Sequence, residues 1–329
     1  MIEQRTEGLF CKPGDFYIDP IKSCKNAFIT HGHADHARPG MDNYFCTPET
    51  AEIMRHRIDR NLSIKEVKYY QRLKFNQVFV TLYPAGHVLG SAQILIEYEN
   101  KRTVVTGDYK REYDATCKIF EPVECNTFIS EATFANPKFN WGSFDEEIKN
   151  IYKWFSKNKI KRINSILFGY SLGKSQRIIN ALKKKYNITI FAHNAIRGIN
   201  KIYSKFGVPN LETKTISTKG GFYDGIIMMP PGARKSKILS NTHPYKTAFC
   251  SGWISGKHKD YDDGFKISDH ADWDDLIKTI EQSKAREVIL IHGAGPILRK
   301  YLNSKGIIVS NYTKTNQEDK SLQLSMFNE

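Results

Sequence analysis

The chain has 329 residues, 40% hydrophobic and 12% aromatic, with a formal net charge of +14. This length allows one large domain or two, and the composition is that of a globular protein rather than a disordered or fibrous one. No apolar run approaches the roughly 18 residues of a membrane-spanning helix, and the start, Met1-Ile2-Glu3-Gln4-Arg5, lacks the basic-then-apolar pattern of a secretory leader, so a cytoplasmic protein with no membrane partner is expected.

In chain order, Phe16 to Asp19, Asn26 to Thr30 and Gln77 to Pro84 read as strands running into loops, and Ala92 to Tyr98 with Arg102 to Thr106 as a hairpin across Glu99-Asn100. The character changes near residue 142. Ser143 with Glu146 predicts a capping box, and Phe144, Ile148, Ile151, Tyr152 and Phe155 form a helical stripe. Strand and helix then alternate over Ser165–Gly169, Ser175–Lys185, Ile188–Ala192 and Ala195–Phe206, which predicts an α/β unit with a parallel sheet. From about Lys246 strand-rich segments resume, and the stretch after Thr313 reads as a loose tail.

The charge is unevenly placed. From Lys149 to Asn210 there are fourteen Lys/Arg and no Asp or Glu, leaving 35 of the 49 basic residues against 35 acidic ones elsewhere. A one-signed segment concentrates a polyanion, so a nucleic-acid partner is expected. The six cysteines are scattered with no C-x-x-C pair, and read as free thiols with no part in metal binding.

The strongest motif is Thr30-His31-Gly32-His33-Ala34-Asp35-His36, four potential ligands within six residues. In an extended loop His31 and His33 project to one side, and a turn at Asp35 and His36 can aim a second pair nearby. Imidazole and carboxylate ligands suit zinc, and also manganese or iron. Further candidates close later strands: His87 between glycines in Ala85-Gly86-His87-Val88-Leu89-Gly90, Asp108 in Thr106-Gly107-Asp108, and His292 after Val288–Ile291.

The order Asp19, His31/His33/Asp35/His36, His87 and Asp108 resembles the motifs of the metallo-β-lactamase superfamily. Glu131 in Ser130-Glu131-Ala132-Thr133-Phe134, His270 in Ser268-Asp269-His270-Ala271-Asp272-Trp273, and His292 resemble the three further motifs of its β-CASP nucleases. Gly169-Tyr170-Ser171-Leu172-Gly173-Lys174-Ser175-Gln176 and Ser251-Gly252-Trp253 bring the resemblance to the bacterial ligase-associated DNA exonucleases, the family akin to mRNA 3′-end processing factors. It spans about residues 10 to 310.

That resemblance implies an α/β fold, the αββα sandwich of the metallo-β-lactamases with an inserted β-CASP α/β domain. The expected boundaries are 1–141 and 246–313 for the sandwich, 142–245 for the insertion and 314–329 for a flexible tail. It implies two divalent ions, zinc first and manganese as alternative. His31, His33 and His87 would hold one, Asp35, His36 and His292 the other, Asp108 would bridge them, and Asp19 would orient ligands from behind. Asp35 counts among the catalytic residues with His270, the general acid held by Glu131. The implied activity is DNA exonuclease action in repair, 5′ to 3′, beside a ligase and helicase. An RNA-processing β-CASP ribonuclease is the alternative, and His292 argues for it, because that position is histidine in the RNA-acting branches.

Three weaker features remain. Gly173-Lys174-Ser175 lies at a strand-to-helix turn where Ser171, Lys174 and Ser175, with Ser251, would contact substrate phosphate; a plain helix cap is the other reading. His193 reads as a structural histidine. Gln323-Leu324-Ser325-Met326-Phe327 resembles the short peptide by which bacterial repair proteins dock on the sliding clamp, or else folds back on the chain.

Overall fold

A computed structural model describes residues 1–310 other than 218, 255–259 and 294, and the Gln323–Phe327 peptide lies outside the described residues. The described chain forms two compact units, residues 1–140 with 270–310, and residues 141–269. Both mix helices with sheets, as an α/β reading requires.

In the first unit, β1 (Ile2–Arg5), β2 (Gly8–Cys11), β3 (Phe16–Ile18), β4 (Asn26–Phe28), β5 (Asn43–Cys46) and β6 (Ile64–Glu66) form one sheet in that order. Helix α1 (Pro48–Arg57) is started by Thr47, whose side chain accepts from Thr50 N, and by Pro48 at its first position. The next strands, β7 (Leu73–Phe75), β8 (Val78–Pro84), β9 (Ala92–Tyr98), β10 (Lys101–Val105) and β11 (Thr127–Glu131), belong to a second sheet.

The chain then builds the second unit. Helix α2 (Phe144–Ile160), β12 (Asn164–Phe168), α3 (Lys174–Tyr186), β13 (Ile190–Ala192), α4 (Asn194–Lys205), β14 (Lys214–Thr215), β15 (Ile226–Met229), α5 (Lys237–Ser240), β16 (Tyr245–Cys250) and β17 (Asp263–Phe265) follow in order. Its parallel sheet runs β14-β13-β15-β12-β16-β17. Ile166, Phe168, Ile227, Met229 and Phe249 form its core.

Back in the first unit, α6 (Trp273–Ser283), β18 (Glu287–Ile291), α7 (Pro296–Ser304) and β19 (Ile308–Ser310) complete the second sheet, whose order is β19-β18-β11-β10-β9-β8-β7. Strand side chains alternate between faces, and here both faces are covered. Val80, Leu82, Ile94 and Ile96 meet Phe16, Phe28 and Phe45 of the first sheet. Phe28 and Phe75 bring their ring centroids within 5.5 Å across that interface. Leu95, Val104 and Phe128 face the other way, onto Leu276, Ile280, Leu298 and Leu302 of α6 and α7. Ala51 and Met54 of α1 pack on Ala27, Ile29 and Tyr44, the outer face of the first sheet. The result is four layers: helix, sheet, sheet, helix.

Two expectations are corrected. The return to the first unit falls after Asp269, not at Lys246: β16 is a buried strand that pairs in parallel with β12, Phe168 opposite Phe249, and β17 pairs with β16 in turn. Ser143 does start α2, but its side chain makes no cap hydrogen bond, so no capping box closes there.

Candidate metal centre

The sequence-predicted ligands and the Glu131/His270 pair all belong to the first unit, and each stands where a strand ends or a helix begins. Asp19 follows β3, the His31–His36 run follows β4, His87 follows β8, Asp108 follows β10, Glu131 ends β11, His292 follows β18, and His270 precedes α6. Gly107 makes one of these approaches possible. Its φ of +56° suits glycine, and a Cβ there would come within 2.6 Å of Thr30 Oγ1.

His31, His33, His87 and Asp108 turn one ligand atom each toward a common point. His33 Nδ1 lies 3.0 Å from His31 Nε2 and 3.1 Å from His87 Nε2, and Asp108 Oδ2 lies 3.6 and 3.7 Å from the same two nitrogens. A tetrahedral zinc with Zn–N near 2.0–2.1 Å sets its ligand atoms about 3.3 Å apart. The observed separations bracket that span.

The other Asp108 oxygen, Oδ1, faces His36 Nε2 at 3.5 Å, and Asp35 Oδ2 lies 3.7 Å from that nitrogen. His36 Nε2 is buried and has no hydrogen-bond partner. A polar atom orphaned in this way is one that a bound cation would satisfy. The His292 ring centroid lies 5.0 Å from that of His36. Asp108 thus stands between the two groups, one oxygen toward each.

Behind the ligands, Asp19 accepts from Thr30 N at 2.8 Å and from Thr30 Oγ1 at 2.5 Å, and lies 2.7 Å from His36 Nδ1. That contact turns His36 Nε2 inward. Ser91 Oγ accepts from His87 N at 3.1 Å. Thr30, Ser91 and Tyr109 escaped the sequence reading; Thr30 and Ser91 flank the ligand motifs, and that adjacency was their only signal.

Burial and charge set the protonation states. Burial, then the neighbouring histidines, hold His31 well below the usual imidazole range. Burial, with His36, pushes His292 down to about 4. Burial opposes the charge on His36 too, but Asp108, Asp35 and Asp19 outweigh it and hold His36 well above that range. Burial pushes the Asp108 carboxyl up to about 7, against the pull of His36 and His270. Asp35 is driven the other way: burial would raise it, but His36, His33 and His292 hold it below the usual carboxylate range. A buried carboxylate pushed up this far is short of positive charge, which a divalent cation supplies.

A second group shares Asp108. His270 Nε2 lies 3.8 Å from Asp108 Oδ2, and His270 Nδ1 lies 2.8 Å from Glu131 Oε2. Tyr109 N donates to Glu131 Oε1 at 2.8 Å. Burial would raise the Glu131 carboxyl, but His270 and these hydrogen bonds hold it lowered.

The expected phosphate contacts lie in the second unit, and the side chains of Lys174, Ser175 and Ser251 make contacts within it. Lys174, 3% exposed, places Nζ 3.0 Å from Asp269 Oδ1. Ser175 Oγ donates to Tyr170 O at 2.6 Å, and Ser171 O accepts from Gln176 Nε2 at 2.9 Å. Ser251 Oγ accepts from Trp253 N at 3.2 Å. At the start of α3, Gln176 Oε1 accepts from Gly173 N at 2.8 Å, a contact of the helix-cap kind. His193 likewise caps α4, accepting from Ala195 N at 3.2 Å. All six cysteines are free.

No family model matches the chain. It is 27% identical over 310 residues to a probable DNA ligase of Opitutus terrae, covering 92% of this chain and 30% of that protein. It is 34% identical over 209 residues to endoribonuclease YSH1 of Kluyveromyces lactis, covering 63% of this chain and 26% of that one. It is 38% identical over 80 residues to cleavage and polyadenylation specificity factor subunit 3 of Dictyostelium discoideum, covering 23% of this chain and 10% of that one. The chain spans less than a third of the length of each of these relatives.

Proposed function

We propose that this chain is a metal-dependent DNA exonuclease of the ligase-associated β-CASP branch, degrading DNA from the 5′ end during repair. The four-layered unit is then the metallo-β-lactamase sandwich and the parallel-sheet unit its β-CASP insertion. The observation that carries the reading is the sharing of Asp108: His31, His33 and His87 surround one oxygen, His36 faces the other, and the Glu131–His270 pair abuts the same carboxylate. The preference for DNA rests on the relative that covers nearly all of this chain and is named a probable DNA ligase.

In this reading His31, His33, His87 and Asp108 hold one divalent ion, zinc by the chemistry of the set, and Asp108, Asp35, His36 and His292 hold a second. Such ions, when bound, supply Lewis acidity toward phosphoryl oxygens and lower the pKa of water. The chain's own contribution is orientation and proton transfer. Asp19 fixes the His36 ring. Glu131, kept ionised, holds the proton of His270 on Nδ1 and stabilises the imidazolium. His270 Nε2, facing the ligand cluster, can then deliver a proton to the leaving oxygen.

RNA cleavage is a second reading, favoured by the relatives named endoribonucleases. End-labelled DNA and RNA of matched sequence, with Zn²⁺, Mn²⁺ or Mg²⁺ and after chelation, separate the two. Metal-dependent release of nucleotides from the 5′ end of DNA is expected. Internal cleavage confined to RNA would replace this reading with the second.

A further inference from the structure

Helix α1 reaches both loops that carry the histidine triad. At its C-terminal end Arg57 Nη1 donates to Gly32 O at 2.6 Å, the carbonyl between His31 and His33. Arg55, two residues earlier and so on another side of the helix, pairs instead with Glu66 at 2.7 Å as an ordinary surface arginine does. At the other end, Thr47 Oγ1 and Thr50 Oγ1 both donate to Gly90 O, at 2.7 and 3.0 Å, and both threonines are fully buried. Gly90 belongs to the His87 loop. It has a φ of +80°, and a Cβ there would meet Thr50 N at 2.6 Å, so the loop lies directly against the helix. Ser91, the next residue, accepts from His87 N and Val88 N.

A helix needs only an acceptor at its N-cap. Thr47 supplies one to Thr50 N, and its hydroxyl proton remains for Gly90. Ten helical residues at about 1.5 Å each make a stiff member roughly 15 Å long. Its two ends pin one peptide carbonyl in each ligand loop. A pinned carbonyl fixes the peptide plane it lies in: Gly32–His33 in the first loop, and in the second Gly90–Ser91, where the Ser91 hydroxyl in turn holds His87 N and Val88 N. We propose that α1 is the strut that sets His31 and His33 against His87, with Arg57, Thr47 and Thr50 as positioning residues for the metal. This rests on the reading that those three histidines hold a cation.

The test is zinc affinity of the full chain, by competition with a chelator, beside thermal unfolding of the metal-free protein. Arg57→Gln and Thr50→Val are expected to bind zinc roughly 10- to 100-fold more weakly, with the melting temperature of the metal-free protein unchanged. Thr50→Ser, which keeps the hydroxyl, should bind as the wild type does. Wild-type affinity in folded Arg57→Gln and Thr50→Val overturns the inference, as does an affinity loss accompanied by lowered melting of the metal-free protein. If Arg57→Gln does not fold, the Thr50→Val and Thr50→Ser pair decides. A wild-type chain that binds no zinc overturns the metal site itself, and this inference with it.

Discussion

Glu131 Oε2 lies 2.8 Å from His270 Nδ1, and Tyr109 closes a ring around the pair. Tyr109 N donates to the other Glu131 oxygen at 2.8 Å, while Tyr109 O accepts from Ala271 N at 2.7 Å. A single residue between Asp108 and Lys110 thus holds both the carboxylate and the chain on which the histidine rides. His270→Ala is expected to lower cleavage by roughly 10²–10⁴-fold with metal content unchanged. Glu131→Gln should have a smaller effect, because an amide oxygen still accepts from Nδ1–H. Metal analysis and single-turnover cleavage check this; wild-type rates in His270→Ala would remove it from the chemistry.

Metal binding should be coupled to proton release. Asp108, pushed up to about 7 by burial, is largely protonated below neutrality, and His36, raised by its three carboxylates over the opposing effect of burial, is protonated at pH 7. Both must lose protons to act as ligands, whereas His31 and His292 are already neutral there. The sign follows: affinity falls as pH drops through about 7, about tenfold per pH unit for each proton displaced. Calorimetry in buffers of different ionisation enthalpy reads the protons directly, and binding without proton release would contradict the protonation states described.

Lys174 and Asp269 form an ion pair with side chains only 4% and 7% exposed. Lys174→Met removes the cation beside a buried carboxylate and is expected to destabilise the protein by up to about 3–5 kcal/mol, whereas Lys174→Met with Asp269→Leu should recover part of that loss. Denaturant unfolding of the two variants decides. A harmless Lys174→Met would show that the lysine is not needed inside.

Acids from outside the carboxylate-free segment neutralise part of it. Lys159 meets Asp224, Lys185 meets Asp145, and Lys183 Nζ lies 2.6 Å from Glu212 Oε2. If the segment contacts phosphates, binding to labelled DNA should weaken linearly in log salt, by about 0.9 log units per contact and per decade. Lys184→Glu and Lys201→Glu, both at exposed positions, should flatten that slope more than Lys183→Glu, whose charge is already balanced. An affinity indifferent to salt would rule the segment out as a footprint.

The ligand run from His31 to His36 is legible in sequence because its information is local: residues within six positions share one loop, and their types alone limit what they can hold. The strand pattern is legible for a similar reason, since the short, near-continuous apolar runs of β9, β10 and β18 mark strands covered on both faces. What the sequence could not decide depends on partners far along the chain. Asp19 finds Thr30 and His36 only once β3 and β4 lie side by side. Glu131 and His270 are 139 residues apart until β11 and the start of α6 converge. Lys174, whose motif suggested a surface phosphate contact, turns inward because Asp269 is buried beside it. The chain stays in the second unit to Asp269 because the unpaired edge of β12 offers β16 a full ladder of backbone hydrogen bonds. Residue types and short spacings determined what chemistry was on offer; burial and long-range pairing decided which groups face one another, because both exist only in the folded chain.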